Sequence, residues 1–139
     1  MSTHPKRARF IAFEGGEGVG KSTQAKLLVE ALAERGIDAL LTREPGGTTG
    51  AEMIRKLLLA PPGTGWGVQA EALLFAAARS DHVAKAIKPA LISGSWVVCD
   101  RFVLSSRAYQ GLAGGLGDEE VLALHRIGSG GLMPCRTLL

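Results

Sequence analysis

The chain has 139 residues, 46% of them hydrophobic and 21% charged, enough for one core and too few for two. Sixteen Lys and Arg against 13 Asp and Glu leave a formal charge of +3, which excludes the signature of disorder and suits anionic ligands without calling for nucleic acid. Apolar runs such as Ala72 to Ala78 fall well short of the ~20 residues that span a bilayer, so no membrane helix is expected.

Residues 1–9 (MSTHPKRAR) are basic and lead into a strand pattern where a signal peptide would carry an apolar segment, so a solvated arm and a cytoplasmic protein are expected, with one domain over 10–139. Phe10 to Glu14 (FIAFE) is a short apolar run ended by Gly15 and Gly16, and helical spacing takes over from Lys21 to Arg35. In that helix Ala25, Leu28, Ala31 and Leu32 share one face, and Gly36 is placed to end it in a left-handed conformation. Ala39 to Thr42 reads as a second strand, Arg43 to Gly47 (REPGG) as a break, and Ala51, Ile54, Leu57 and Leu58 as a helix that stops at Pro61 and Pro62 before a loop to Gly67. Gln69 to His82 carries helix formers almost throughout, and Ala72, Leu73, Phe75 and Ala76 predict a helix largely inside the protein, its continuation kinked or split by Pro89.

Trp96 to Cys99 (WVVC) reads as a strand covered on both faces, with Asp100 and Arg101 at its carboxyl end. Ser105 to Gln110 reads as a helix, Gly111 to Gly117 as a mobile loop, Asp118 to Ile127 as a helix capped by its Asp, and Thr137 to Leu139 as the start of another strand. Cys99 and Cys135 stand in strand-like contexts without metal-ligand spacing and are expected as buried, reduced thiols. Strands alternating with helices predict an α/β fold, a parallel sheet with helices on both faces. Ligands of such sheets bind outside the carboxyl ends of the strands, where the glycine loop and Asp100 both fall.

Gly15 to Ser22 (GGEGVGKS) matches GxxxxGK[ST] between a predicted strand and a predicted helix. Gly15, Gly16, Gly18 and Gly20, with Glu17 and Val19 between them, allow successive backbone N–H groups to face phosphate oxygens. Lys21 adds a point charge, Ser22 an oxygen for Mg²⁺, and Thr23 completes the phosphate-binding set at the positive end of the helix. Asp100 ends its strand where P-loop proteins hold an acid that reaches Mg²⁺, and Arg101 beside it suits a phosphate, although a strand ending in Asp is also ordinary turn chemistry. There is no NKxD, and no DxxG after the second acid, which excludes a switch GTPase.

The strings FEGGEGVGKST, TREPGGT, EALLFAAARSDH and DRFVLSSRAYQG, in this order and at these separations, resemble bacterial thymidylate kinases over nearly all of the chain from Phe10 to Leu139. The resemblance implies the P-loop nucleotide-kinase fold and transfer of the γ-phosphoryl group of ATP to dTMP, with Mg²⁺ as cofactor. The expected setting is a cytoplasmic homodimer with neither nucleic acid nor membrane as partner. It implies that Lys21, Asp100 and Arg101 are catalytic, with Arg101 bridging the donor and acceptor phosphates, and that Glu17 meets the 3′-hydroxyl of the acceptor sugar. Phe75 would stack on thymine, Arg79 would donate to a base carbonyl, and Arg43 and Pro45 would shape the acceptor pocket. Ser105 and Ser106 would lie near the acceptor nucleotide, and Tyr109 beneath the deoxyribose.

By residue type alone, Phe75 is more often a core residue than a ligand, Ser105 and Ser106 equally suit an N-cap, and a solvated loop is the alternative for Glu17, although a carboxylate beside triphosphate is repulsive without a task there. His4 and His82 have no partner that suggests catalysis and read as surface or structural. The resemblance further implies a lid, a helix and a strand beyond the last predicted strand. The glycine loop holds no arginine, so lid arginines are implied to act on the transferring group. The 139 residues are therefore expected to be an N-terminal portion, incomplete at the carboxyl end and slow in turnover alone. Cys135 stands where the family's strand entry has Asp. Two alternatives remain beside this reading, another P-loop nucleoside monophosphate kinase and a nucleotide-binding remnant without activity.

Overall fold

The computed structural model describes residues 8–16 and 20–139. Strands β1 (Phe10–Phe13), β2 (Ala39–Arg43), β3 (Trp96–Asp100) and β4 (Arg136–Leu138) form one parallel sheet in the order β2-β3-β1-β4. The register sets Phe13 and Arg43 on either side of Asp100. The carboxyl ends of β1, β2 and β3 thus form one rim, and Glu14, Glu44 and Arg101 follow directly on it.

Period-2 alternation divides the strand residues between two cores. On one face Val98 packs with Ala25 and Leu32 of helix α1 (Lys21–Glu34). On the other, Phe10, Ala12, Val97 and Cys99 meet Val83, Ile87, Phe102, Val103 and Val121. Those partners come from a second layer, made of α2 (Thr49–Leu59), α3 (Val68–His82), α4 (Lys88–Ile92), α5 (Val103–Ser106) and α6 (Asp118–Ser129) with their joining turns. Burial on both faces explains why WVVC is apolar without alternation.

Most elements fall where the pattern predicts, including the left-handed Gly36 after α1, at φ 73°. Ala31 is exposed, because the packed stripe follows Ala25, Leu28 and Leu32 and Ala31 lies to one side of it. The α3 helix is less apolar inside than expected: Leu73 is 56% exposed, and the buried positions are Ala72, Ala78, Arg79 and His82. Beyond it the chain widens into a π-helical turn, Val83–Ile87, and resumes as α4 with Pro89 in its first turn, the split that a residue without an N–H imposes.

Four further expectations are corrected. The N-cap of α5 is Phe102, so Ser105 and Ser106 lie inside the helix, where their hydroxyls serve other partners. The segment expected to be a loop from Gly111 remains helical to Ala113, as a π-helical run from Arg107. Asp118 does not cap α6. Gly117 holds that position, and the Asp118 carboxylate instead accepts two hydrogen bonds from the Arg107 guanidinium at 2.7 and 3.0 Å, a bidentate pair stronger than a single cap bond. Cys99 is buried as expected, but Cys135 is exposed at the entry to the edge strand β4, all of whose residues are exposed.

Candidate active site

At the strand rim lies a cleft of about 860 Å³. Gly20, Lys21 and Ser22 line it from the glycine loop, and Asp100 and Arg101 from the end of β3. Gly20 caps α1 with φ 81°, a left-handed turn that disfavours side chains, and supplies no capping hydrogen bond. The first turn of α1 also holds no acid. Its outward N–H groups and positive dipole end are thereby left to an anion. The Lys21 ammonium, nearly buried, stands 3.6 Å from Asp100 Oδ1.

Glu17, Gly18 and Val19 lie outside the described residues, as do His4 and most of the basic arm. Gly15, Gly16 and Thr23 do not line the cleft. Asp100 Oδ1 is buried and accepts no hydrogen bond, while Ser22 opens onto the same space. A hard cation fits there, since Mg²⁺ takes one or two protein oxygens and completes its shell with phosphate and water. Among the described residues no cluster of three or more His, Cys, Asp or Glu could hold a metal by itself.

Arg101 follows β3 at φ 69°, the single non-glycine residue with positive φ among those described. Its guanidinium donates to Ser105 Oγ at 3.3 Å and lies 5.7 Å from the centre of the Tyr109 ring. Arg43, Pro45, Phe75, Arg79, Ser105, Ser106 and Tyr109 all line the same cleft. Phe75 is half-buried one helical turn before Arg79, and Tyr109 is half-exposed. Arg79 is 4% exposed. It donates from Nε to Glu44 Oε1 at 2.6 Å and from Nη2 to Ser106 Oγ at 3.1 Å, with its guanidinium over the Phe102 ring.

Several groups at this rim carry no motif. Glu14 is 3% exposed and accepts from Ser105 Oγ at 2.6 Å, Phe102 N at 3.1 Å and Ser105 N at 3.3 Å, tying the end of β1 to the start of α5. Burial pushes its carboxyl above the usual glutamate range, against the opposing effect of those bonds and of the Arg79 charge. An acid ending a buried strand was its one sequence signal, the same that singles out Asp100. Gln110, whose amide donates to Glu71 at 2.8 Å, and Arg55, which donates to the Pro45 carbonyl at 2.9 Å, also line the cleft. Thr48 caps α2 and donates to Asp81 at 2.5 Å, fixing the REPGG turn against α3. His82 is fully buried, so it is a structural side chain and not a surface one. Arg107 faces Asp118 rather than the cleft.

A parallel sheet, a glycine loop opening a helix and an Asp-Arg pair at the next strand end define a P-loop nucleotide-kinase fold. The family model described as thymidylate kinase matches residues 13–139. Thymidylate kinase of Rhizorhabdus wittichii is 65% identical over 94% of this chain, and that of Symbiobacterium thermophilum 52% identical over 94%. The crystal structure of thymidylate kinase from Ehrlichia chaffeensis superposes with a TM-score of 0.86 at 41% identity, over 94% of this chain and 69% of that one. The chain belongs to the thymidylate kinase family. It spans 63% of the Rhizorhabdus and 61% of the Symbiobacterium protein.

Proposed function

We propose that the protein transfers the γ-phosphoryl group of ATP to dTMP, giving dTDP. The observation that carries this reading is one continuous cleft that joins the glycine-loop end of α1 to Phe75, Arg79 and Tyr109, with Asp100 and Arg101 lining the same space. Phosphoryl transfer asks the protein for alignment and for charge on the equatorial oxygens rather than for covalent chemistry.

The loop from Gly15 and the N-terminus of α1 hold the ATP phosphates, and Lys21 places its charge among them. Ser22 and Asp100 would hold Mg²⁺, which would supply further neutralisation of the phosphates. Arg101 bridges donor and acceptor phosphates from a backbone position already fixed at the strand end. Phe75 stacks on thymine, Arg79 donates to a base carbonyl, Arg43 and Pro45 wall the acceptor pocket, and Tyr109 packs beneath the deoxyribose. Ser105 and Ser106 brace the two arginines from below, and Glu17 meets the acceptor's 3′-hydroxyl. No group is required as a general base.

No helix of the described residues is long and apolar enough to cross a membrane, and the reading places the protein in the cytoplasm. It acts there as a homodimer. Met53 and Leu57 on α2 and Leu73 on α3 are exposed apolar side chains on two helices packed together, a surface suited to a second copy. Sedimentation of the full chain at micromolar concentration tests this, and a monomer would count against it. For the reaction, the full chain is given ATP with dTMP, dCMP or dAMP and nucleoside diphosphate is measured. Preferred turnover of dTMP is expected, and equal turnover of dCMP would favour a kinase of another monophosphate.

A further inference from the structure

The REPGG turn rests on a buried chain of side chains that joins β2, α3 and α5. Thr42 Oγ1 lies 2.7 Å from His82 Nε2, and His82 Nδ1 lies 2.7 Å from Glu44 Oε2. Glu44 Oε1 accepts from Arg79 Nε at 2.6 Å, and Arg79 Nη2 donates to Ser106 Oγ at 3.1 Å. None of His82, Glu44, Arg79 and Ser106 is more than 5% exposed. An ionised carboxylate only accepts, so His82 presents Nδ1–H to Glu44 and is anchored by Thr42 at its other nitrogen. The turn also lies directly on this chain: at Gly47, whose φ is 92°, a Cβ would overlap both the His82 ring and the Thr42 hydroxyl.

Arg79 is consequently held from three sides, by Glu44, by Ser106 and by the Phe102 ring beneath its guanidinium at 5.3 Å. Two of its five N–H donors are spent on these bonds, and the side chain lines the cleft. A buried guanidinium without a carboxylate partner is strongly unfavourable, and a free one carries large rotamer entropy. Glu44 removes the first cost and His82, by fixing Glu44, removes the second.

We propose that Glu44 and His82 are positioning residues that set acceptor specificity, by aiming the remaining N–H groups of Arg79 at the base of the acceptor nucleotide. This rests on the reading that Arg79 faces the base of dTMP. Selection among monophosphates then depends on His82, which lies beneath the site rather than on the cleft wall.

The test is calorimetric titration of the full chain with dTMP, dCMP and ATP, in the parent, in Glu44→Gln and in Thr42→Val. Glu44→Gln keeps the shape of the side chain but turns an N–H donor toward one of two donors. Thr42→Val releases only the far end of His82 and suits a buried site. The ratio of dTMP to dCMP affinity is expected to fall about tenfold in Glu44→Gln and about threefold in Thr42→Val, with ATP affinity within about twofold of the parent. The Arg79 Nε–H signal, downfield in the parent through its carboxylate bond, is expected to move upfield in Glu44→Gln. A parent with no preference for dTMP overturns the functional reading and this proposal with it. A parent preference that the variants keep within about twofold overturns the proposal alone. If Glu44→Gln fails to fold, the same ratio in Thr42→Val decides.

Discussion

Arg101 allows stability and function to be separated by substitution. At φ 69° its backbone is in the left-handed region, which costs an L-residue about 1 to 2 kcal/mol. Its side chain returns a hydrogen bond to Ser105 at 3.3 Å and a cation–π contact with Tyr109 at 5.7 Å. Both are partly solvated, so together they are worth about 1 kcal/mol. Arg101→Ala removes at least those contacts and keeps the strain, so it should lose about 1 kcal/mol or more. Arg101→Gly removes the same contacts and the strain together while adding unfolded-state entropy of about 0.5 to 1 kcal/mol, which offsets part of the strain relieved. Gly should therefore be at least as stable as Ala here, and by up to about 1.5 kcal/mol more, the reverse of their order within an ordinary helix or strand. Both variants should lose dTDP formation by about 10³-fold or more, the scale of an arginine acting on a transferring phosphoryl group. Urea unfolding at unchanged m-value and a coupled ADP-release assay supply the two readings. A Gly variant less stable than the Ala variant would refute the strain argument, and near-parental turnover in either would refute the catalytic one.

Other substitutions probe the neighbouring parts. In Lys21→Ala the rise in melting temperature that ATP·Mg²⁺ gives the parent should vanish, because ligand stabilisation follows occupancy of the glycine-loop site; equal shifts in both proteins would contradict that placement. Gly47→Ala should cost about 2 to 3 kcal/mol in denaturant unfolding, since its Cβ would meet His82 and Thr42 at a φ of 92°, and a neutral result would mean that the turn does not lie on the buried chain. His125 gives a pH dependence. Its Nε2–H donates to the Leu132 carbonyl at 2.6 Å, leaving Nδ1 buried without a partner, and burial lowers its pKa below the ordinary 6.5. The unfolded chain then binds the proton more tightly, so the stability due to His125 is present above about pH 6.5 and lost as the pH falls through the lowered value. Parent stability should drop on acidification toward about pH 5 more steeply than that of His125→Gln, which can keep the Leu132 bond, and parallel curves would refute this.

The glycine loop and the β3 terminus were legible because each combines a break in periodicity with a residue type that has few other uses there. Gly20 must take φ 81°, and Asp100 ends a strand whose preceding residues are wholly apolar. Both features survive reading one residue at a time. The errors came where a side chain's partner lies far along the chain. Asp118 looks like a cap until Arg107 is brought across the intervening turn. Ser105 and Ser106 look like caps until Glu14 and Arg79, distant in sequence, take their hydroxyls. Local pattern also assigns polar residues to the surface by default, which is why Glu14, Glu44 and the role of His82 went unread, although all three are at most 5% exposed.

That misreading locates the function. Burying an ionised or hydrogen-bonded group costs more than burying an apolar side chain of similar volume, so a sheet assembled for stability alone would have apolar residues at these positions. Here most of the costly groups are concentrated: Glu14, Glu44, Arg79, His82, Ser106 and Gln110 are all buried, and each lines the cleft at the carboxyl rim or is bonded to a residue that does, whereas of the buried polar side chains among the described residues only His125 and Ser129, on α6, do neither. The opposite, amino-terminal ends of the strands are closed by apolar contacts such as Trp96, Ala39 and Ile37. An asymmetry of that kind between the two ends of one sheet is what a site for a charged, hydrogen-bonding ligand requires, since only a ligand on the rim turns pre-aimed donors and acceptors into binding energy.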